Sequence, residues 1–247
     1  MELVALPGLP EVRPGDDLGA LLAEAAPADL GDGDVLCVAQ KVVSKAEGRI
    51  VPLGDVRPGE RAEAIAAEHG KDARLVQVIL DESAGLLRAE RGVLICETRH
   101  GFVCANAGVD ASNAAREGEV VLLPLDPDAS ARTLRARIAA LRAVRPAIIV
   151  TDSFGRAWRL GQTDVAIGAA GIDPLDDWRG RHDSRGHELR ATAIAVADSL
   201  AGGADLARTK DSREPAVLVR GLARLVRLDD GPGAAALRRP RSEDLFR

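Results

Sequence analysis

Residues 130–156 read SARTLRARIAALRAVRPAIIVTDSFGR and join a helical pattern to a strand pattern. Leu134, Ile138 and Leu141 recur at helical spacing, so we expect them to face the core while the arginines between them face water. The apolar run 147–150 follows closely and has the length of a buried strand. This stretch therefore predicts a fold in which helices pack on a sheet.

The rest of the chain mixes helical and strand patterns without strict alternation. Such an order favours an α+β fold, or a mixed-sheet α/β fold, with packed helices, over a doubly wound one. We expect one domain over residues 1–228, with space for two lobes and no separate linker, and a Gly-, Pro- and Arg-rich tail over 229–247. The predicted helices span 58–70, 72–88, 130–143 and 186–201, and the predicted strands span 34–40, 92–98, 101–105, 120–125, 147–150, 164–171 and 216–222.

The composition argues against several classes of protein. A net charge of −5 disfavours a general nucleic-acid binder, which would need a basic face. No apolar run approaches the roughly 20 residues of a membrane helix, and the N-terminus lacks the basic region of a signal peptide. Cys37, Cys96 and Cys104 lie in strand-like runs without metal-binding spacing, which is typical of reduced thiols in a cytoplasmic protein.

Two acids directly follow apolar runs. Asp110 lies in ANAGVDASN (105–113), after the apolar run 101–104, and Asp152 follows the run 147–150. Carboxylates at strand ends offer hard oxygen ligands that suit Mg²⁺ or Mn²⁺, which need only one or two protein carboxylates. Each acid could instead cap a helix or close an Asx turn, and spacing alone favours that interpretation.

Basic residues form the other candidate binding groups. Lys41 and Lys45 lie in QKVVSKAEGR (40–49), where they could bind phosphate or belong to a solvated turn, and the local context favours the turn. Four arginines flank the Gly-rich stretch 161–168 and could hold an anionic substrate or pair with nearby acids. The arginines are Arg156, Arg159, Arg179 and Arg181, and the acids are Asp173, Asp176 and Asp177. The chain has no Rossmann or P-loop motif.

Five segments together carry a family resemblance. They are GLPEVRPGDDL (8–18), GDVLCVAQKVVSKAEGRIV (33–51), ETRHGFVCANAGVDASN (97–113), TDSFGRAWRLGQTDVAIG (151–168) and PAVLVRG (215–221). In this order they resemble the coenzyme F-420 gamma-glutamyl ligase family, whose members add L-glutamate to a phosphate-bearing deazaflavin. Chance could explain one such segment, whereas five spread through nearly the whole chain indicate membership of the family.

The resemblance implies a cytoplasmic, GTP-dependent ligase that forms an intertwined homodimer, with two divalent cations per site and K⁺ as a further candidate ion. It also implies that the acceptor carboxylate attacks the γ-phosphate of GTP and that L-glutamate then displaces phosphate from the acyl phosphate. No residue is assigned as the base. The implied nucleotide-binding residues are Leu9, Pro10, Glu11, Val12, Gln40, Lys41, Lys45 and Asn113, and the implied metal-binding residues are Asp110, Asp152 and Ser153.

The segment before the last predicted strand departs from the family pattern. The family usually has a Gly-rich, phosphate-contacting turn there, whereas residues 207–214 read ARTKDSRE. The second-metal ligand expected in this turn falls at Thr209, or at Lys210 or Asp211 if residues are inserted, and all three join the implied nucleotide site. The extra charges motivate two alternatives, namely the same ligase chemistry on a different acceptor, or a non-catalytic nucleotide-binding scaffold.

Overall fold

The computed structural model describes residues 1–111, 116–209 and 211–245. Within these ranges the chain is an α+β protein, as predicted, with one large mixed sheet and several small ones, and no helix there is long and apolar enough to cross a membrane. The strands are β1 (Glu2–Ala5), β2 (Val35–Ala39), β3 (Ile50–Pro52), β4 (Ser83–Glu90), β5 (Val93–Thr98), β6 (Val103–Ala105), β7 (Glu119–Val121), β8 (Ala147–Arg156), β9 (Arg159–Ala170), β10 (Leu175–Asp177), β11 (Ala193–Ala195) and β12 (Ala216–Arg220). The helices are α1 (Leu18–Ala25), α2 (Gln40–Ala46), α3 (Glu60–His69), α4 (Ala73–Asp81), α5 (Pro127–Arg142) and α6 (Val196–Ala207).

The large sheet has the strand order β1-β12-β2-β8-β9. Strands β2 and β8 run parallel, and the other neighbours run antiparallel. Alternation along β2 sends Leu36 and Val38 into the core with α1 and α5, and Val35 and Cys37 into the core with α6. Because both faces are covered, β2 and the first half of β8 are continuous apolar runs.

Helix α5 begins at Pro127, earlier than predicted, because the Asp126 side chain caps it. Two expectations about its faces are wrong. Leu141, expected in the core, is 45% exposed, and Arg135, expected in water, is 1% exposed. Arg135 is buried because its guanidinium donates hydrogen bonds to backbone carbonyls of residues 227–229.

A third hydrophobic core lies between the sheet β4-β5-β6 and helices α3 and α4. Val76, Ile79 and Leu94 are fully buried in it. Leu122 belongs to this core and Leu123 to the core under α5, so the chain passes from one core to the other just after β7. The segment that carries Asp110 pairs with β7 and therefore lies where the two cores meet.

The predicted helix over 72–88 is wrong in its second half. Helix α4 ends at Asp81, and residues 83–90 form β4, which pairs with β5. Arg91 and Gly92 adopt φ angles of 53° and 77°, which suit the tight turn between the two strands. Pairing with β5 thus overrides the helical periodicity of the sequence.

The predicted helix over 186–201 is misplaced. Residues 186–192 are irregular and lead into β11, while α6 runs from Val196 to Ala207. Gly202 lies inside α6, where a Cβ would meet the Thr163 hydroxyl of β9 at 3.1 Å. The glycine is therefore explained by the close approach of α6 to the sheet.

Two shorter segments also differ from expectation. The predicted strand over 120–125 is shorter in the structure, where β7 ends at Val121, because its partner strand β3 has only three residues. The solvated turn favoured for residues 40–49 is wrong, since residues 40–46 form α2 and Lys45 is only 7% exposed.

The chain after β12 packs against the end of the large sheet. The carboxylate of Asp128 in α5 accepts hydrogen bonds from the backbone N–H groups of Ala169, at 2.8 Å, and Ala234, at 2.7 Å. Gly233 has a φ angle of 77°, and a Cβ on it would collide with the same carboxylate. The first turn of α5 therefore fixes the C-terminal segment to β9.

Candidate active site

The centre of the candidate site is the point where the parallel pairing of β2 and β8 ends, at the carboxyl end of β2 and the middle of β8. Ala39 pairs with Thr151, so Gln40 and Asp152 are the next residues on the two strands. Ligands commonly bind outside the carboxyl ends of parallel strands, where side chains from successive loops meet. This topology brings two of the predicted binding segments together.

Asp110 also lies at this site, on a segment whose preceding residue, Val109, packs in the third core. Its backbone exchanges two hydrogen bonds with Val121, at 3.0 and 2.8 Å. Its carboxylate forms an ion pair with Lys41, with 2.7 Å between Oδ2 and Nζ, and both side chains are partly exposed. A partly exposed pair of this kind is worth about 0–1 kcal/mol, so a competing ligand could separate it at little cost.

Asp152 has a perturbed acidity. Burial, and to a smaller extent the charges of Asp164 and Asp110, raises the pKa of its carboxyl to about 7. A hydrogen bond from the Ser153 backbone N–H, at 2.9 Å, and the charge of Lys41 act in the opposite direction without offsetting the effect. Three carboxylates thus repel one another in a small region.

Ser153 belongs to a hydrogen-bond network on the other face of β8. Alternation along the strand sends Asp152 to one face of the sheet and the hydroxyls of Thr151 and Ser153 to the opposite face. There Ser153 Oγ donates to Oδ1 of Asp164 at 2.6 Å, and Thr151 Oγ1 donates to Oδ2 at 3.0 Å. Arg208 completes the network with Nη2 at 2.6 Å from Oδ2 of Asp164, and its side chain is 9% exposed.

The implied nucleotide-binding loop, residues 9–12, follows β1 and lies beside α2. Leu9 and Val12 pack in the core of the large sheet. Glu11 Oε1 lies 2.5 Å from Nζ of Lys45, and the Lys45 side chain is 8% exposed against 65% for Glu11. The lysine is therefore held firmly in place, while its acidic partner faces water.

Gln40 is 1% exposed at the start of α2. Its Oε1 accepts a hydrogen bond from Ser44 Oγ at 2.9 Å, whereas its Nε2 has no hydrogen-bond partner among the described residues. A buried donor without a partner costs about 1–3 kcal/mol. Such a donor suits a site in which a ligand supplies the missing acceptor.

Two of the implied nucleotide-binding residues, Asn113 and Lys210, lie outside the residues that the structure describes. Thr209 and Asp211 lie in the turn after α6, where Thr209 Oγ1 donates to Oδ1 of Asp211 at 2.6 Å. They directly follow Arg208, so the divergent turn starts beside the network around Asp164.

The arginines expected near an anionic substrate contact their own neighbours. Arg179 pairs with Asp177 at 2.6 Å, and Arg181 lies over the ring of Trp178 at 4.8 Å. The other two arginines lie at the β8–β9 turn, where they form a strand pair with each other. These two turn residues are Arg156 and Arg159. The other two acids that were candidate partners, Asp173 and Asp176, pair instead with Arg227 and Arg224.

The oxygen donors suit a hard divalent cation. Among the described residues, no group of three His, Cys, Asp or Glu side chains is arranged to hold a metal ion. Mg²⁺ and Mn²⁺ nevertheless need only one or two protein carboxylates, here Asp110 and Asp152, because water and phosphate oxygens complete their coordination. Burial and the neighbouring carboxylates disfavour the charged form of Asp152, and a bound cation would stabilise that form.

Asp164 and Arg208 are the site residues that sequence reasoning missed. Asp164 opens the predicted strand 164–171 and is 2% exposed. A lone acid leading into a buried apolar strand needs a charged partner, so the signal was present in the sequence. Its partner lies 44 residues away in the divergent turn, a pairing that no local pattern indicates.

The fold and the site define a class of α+β proteins with lysines, acids and hydroxyls grouped where two parallel strands stop pairing, a place where sheet proteins commonly bind ligands. The family model for F420-0:Gamma-glutamyl ligase matches residues 8–221, and the chain belongs to this family, as the sequence motifs indicated. Proteins named coenzyme F420:L-glutamate ligase are similar over most of their length. The one from Methanopyrus kandleri is 47% identical over 239 residues, which cover 96% of this chain and 94% of its own. Those from Methanothermobacter thermautotrophicus and Haloarcula marismortui are 41% and 46% identical, over 100% and 89% of this chain and 99% and 87% of their own.

Proposed function

We propose that this protein is a GTP-dependent ligase that joins L-glutamate through an amide bond to a deazaflavin precursor of coenzyme F420. The ligase activity and these two substrates are supported by the name that relatives covering nearly the whole chain carry. The observation that carries the proposal is the meeting of Lys41, Asp110 and Asp152 where the parallel pairing of β2 and β8 ends.

Amide formation requires the acceptor carboxylate to gain a leaving group. In the proposed reaction a carboxylate oxygen of the acceptor attacks the γ-phosphate of GTP, which gives an acyl phosphate and GDP. The amine of L-glutamate then attacks the acyl carbon, loses a proton and releases inorganic phosphate. Because both partners in the first step are anions, positive charge fixed in the site is the main requirement for catalysis.

The basic residues of α2 meet part of this requirement. Lys45 would bind the triphosphate as a fixed charge, since Glu11 holds its ammonium group in place. Lys41 would leave Asp110 and turn to a phosphate when nucleotide binds, because their pair is weak and partly exposed.

The carboxylates and one hydroxyl supply the other part. Asp110 and Asp152 would hold the first of two Mg²⁺ or Mn²⁺ ions, and Ser153 and Thr209 would contribute to the second. Bound there, these ions supply the charge that lets an anion approach the triphosphate. The described residues give no comparable support for K⁺.

The proposal includes a homodimer in a reducing, cytoplasmic compartment. Trp158 and Leu160 lie at the β8–β9 turn and are 84% and 98% exposed, as apolar side chains at a subunit interface would be in a single chain. The cysteines are free and buried, which fits a reducing compartment. Light scattering should give twice the mass of the chain.

Mass spectrometry of the reaction tests the proposed activity. The deazaflavin substrate incubated with the protein, GTP, Mn²⁺ and L-glutamate should gain the mass of glutamyl units. A panel of other carboxylate acceptors separates this activity from the same chemistry on a different acceptor. Phosphate release from GTP that needs both acceptor and glutamate excludes the non-catalytic scaffold, and an unchanged substrate mass would refute the proposal.

Lys45→Ala should weaken GTP binding about tenfold or more, because it removes a fixed positive charge beside the triphosphate. Isothermal titration of the two proteins with GTP measures the change. Lys71→Ala is the matched control, since Lys71 lies in the loop between α3 and α4 and is none of the implied nucleotide-binding residues. Equal GTP affinity in the parent and the Lys45 variant would remove Lys45 from the nucleotide site.

A further inference from the structure

Asp164 lies at the centre of a hydrogen-bond network to which no ligand-binding role has been assigned. Its carboxylate is 2% exposed and accepts the hydroxyl protons of Ser153, at 2.6 Å, and Thr151, at 3.0 Å. Arg208 donates to the same carboxylate at 2.6 Å and to Thr151 Oγ1 at 3.2 Å. The network therefore joins β8, β9 and the residue that follows α6.

The direction of these hydrogen bonds determines what Ser153 can bind. A hydroxyl has one proton to donate and two lone pairs. Since the Ser153 proton is directed to Asp164, the oxygen offers lone pairs to any other neighbour. Lone pairs suit a cation, whereas a phosphate oxygen would need the proton.

Arg208 extends the network to the chain that leads into the last strand. Its Nη1 donates to the backbone carbonyl of Pro215 at 2.9 Å, so the guanidinium spans the base of the turn 208–215. That turn contains Thr209, the proposed ligand of the second cation. The Asp164 carboxylate thus orients the Ser153 hydroxyl directly and holds the start of the turn through Arg208.

We infer that Asp164 is a positioning residue, which orients the Ser153 hydroxyl as a cation ligand and, through Arg208, fixes the start of the turn 208–215. The inference rests on the proposed function, which gives Ser153 its place in the metal site. Asp164 itself is not a ligand in this assignment, because three protein donors already engage its oxygens.

Mn²⁺ binding to the full-length protein tests the inference without any turnover. Electron paramagnetic resonance of free Mn²⁺ gives the dissociation constant for the parent, Ser153→Ala, Asp164→Asn and the double variant. Each single substitution should weaken Mn²⁺ binding about tenfold or more, as loss of ligand-orienting groups does. Because Asp164 acts through Ser153, the Mn²⁺ dissociation constant of the double variant should lie within about threefold of that of the weaker-binding single variant.

Asp198→Asn is the matched control. Asp198 is another acid next to β9, since it accepts a hydrogen bond from the backbone N–H of Ala166 at 2.9 Å, but it belongs to α6 and is not a proposed cation ligand. Its Mn²⁺ dissociation constant should equal that of the parent. Parent-like Mn²⁺ binding by Asp164→Asn, or losses that multiply in the double variant, would overturn the inference.

Asp164→Asn leaves the buried Arg208 opposite a neutral group, so circular dichroism must show that the variant folds. If it does not fold, Asp164→Glu replaces Asp164→Asn in the single and double variants. Glutamate keeps the negative charge opposite Arg208 but moves the carboxylate oxygen away from the Ser153 hydroxyl. The same outcomes then support or overturn the inference. If the parent forms no glutamyl product but the variants show the expected Mn²⁺ dissociation constants, only the ligase proposal is refuted. If the parent forms the product but Asp164→Asn binds Mn²⁺ like the parent, only the role of Asp164 is refuted.

Discussion

Asp152→Asn is expected to lower the rate of glutamyl addition by about a thousandfold or more. Asparagine keeps the shape of the side chain and the oxygen that accepts the Ser153 N–H, at 2.9 Å, but it lacks the charge that would hold a cation beside Asp110. Charge stabilisation by a metal ion is worth several kcal/mol, and each 1.36 kcal/mol is about a factor of ten in rate. Mass spectrometry of product against time measures the loss.

The same substitution should stabilise the metal-free protein at alkaline pH. The folded state raises the pKa of Asp152 from 3.8 to about 7, so between these values it binds more protons than the unfolded state. Stability must then fall as pH rises through this window, by up to about 4 kcal/mol, and by less to the extent that water reaches the partly exposed carboxylate. Thermal unfolding with EDTA should therefore give a higher Tm for Asp152→Asn than for the parent at pH 8, and nearly equal values at pH 4.

Asp198→Asn separates the effect of lost charge from the effect on catalysis. Burial also raises the pKa of Asp198, so its removal should raise stability at pH 8 in the same direction. Asp198 faces β9 from α6, and this variant should keep the parent rate of ligation. Parent-like turnover by Asp152→Asn would remove the carboxylate from the metal site, whatever its effect on Tm.

Local sequence signals predicted the apolar strands, but they did not predict the strand pairing that overrides a local helical pattern. The runs that became β2, β8 and β12 were recognisable because both faces of the large sheet are buried. Residues 83–90 continued a helical periodicity and became β4, since Arg91 and Gly92 turn the chain back onto β5. The lysines of residues 40–49 looked solvated, yet Lys45 is buried against Glu11, a residue 34 positions away.

The candidate site shows the same limit more clearly. Asp110 and Asp152 were recognised as a candidate metal-binding pair after apolar runs, but spacing favoured caps or turns, and the family motifs were needed to favour the metal site. Their approach depends on two long-range pairings, that of Asp110 with Val121 and that of β2 with β8. The buried pair of Asp164 and Arg208 depends on the packing of α6 along β9, which periodicity does not encode.

Arg135→Met is expected to destabilise the protein by about 3–5 kcal/mol, because several backbone carbonyls lose a charged donor at about 1–3 kcal/mol each. The Arg135 guanidinium donates to the carbonyls of Arg227, at 2.6 Å, and Asp229, at 2.9 Å, and pairs with Asp230 at 2.8 Å. On the other side it donates to the carbonyl of Pro146, at the entry to β8. Methionine fills much of the same volume but leaves these partly buried carbonyl acceptors without their donor.

The loss should appear as a lower Tm and as local opening of the segment after β12. For a chain of this length 1 kcal/mol corresponds to about 2–4 °C, so a drop of roughly 10 °C is expected. Amide hydrogen exchange over residues 227–237 should accelerate more than exchange in β2, because Arg135 joins that segment to the large sheet. Arg132→Met, in the same helix, removes an arginine that is 42% exposed and 3.9 Å from Asp126, and it should change stability by less than about 1 kcal/mol. Equal Tm values for the two variants would mean that the chain after β12 is held by its other contacts, above all those with Asp128.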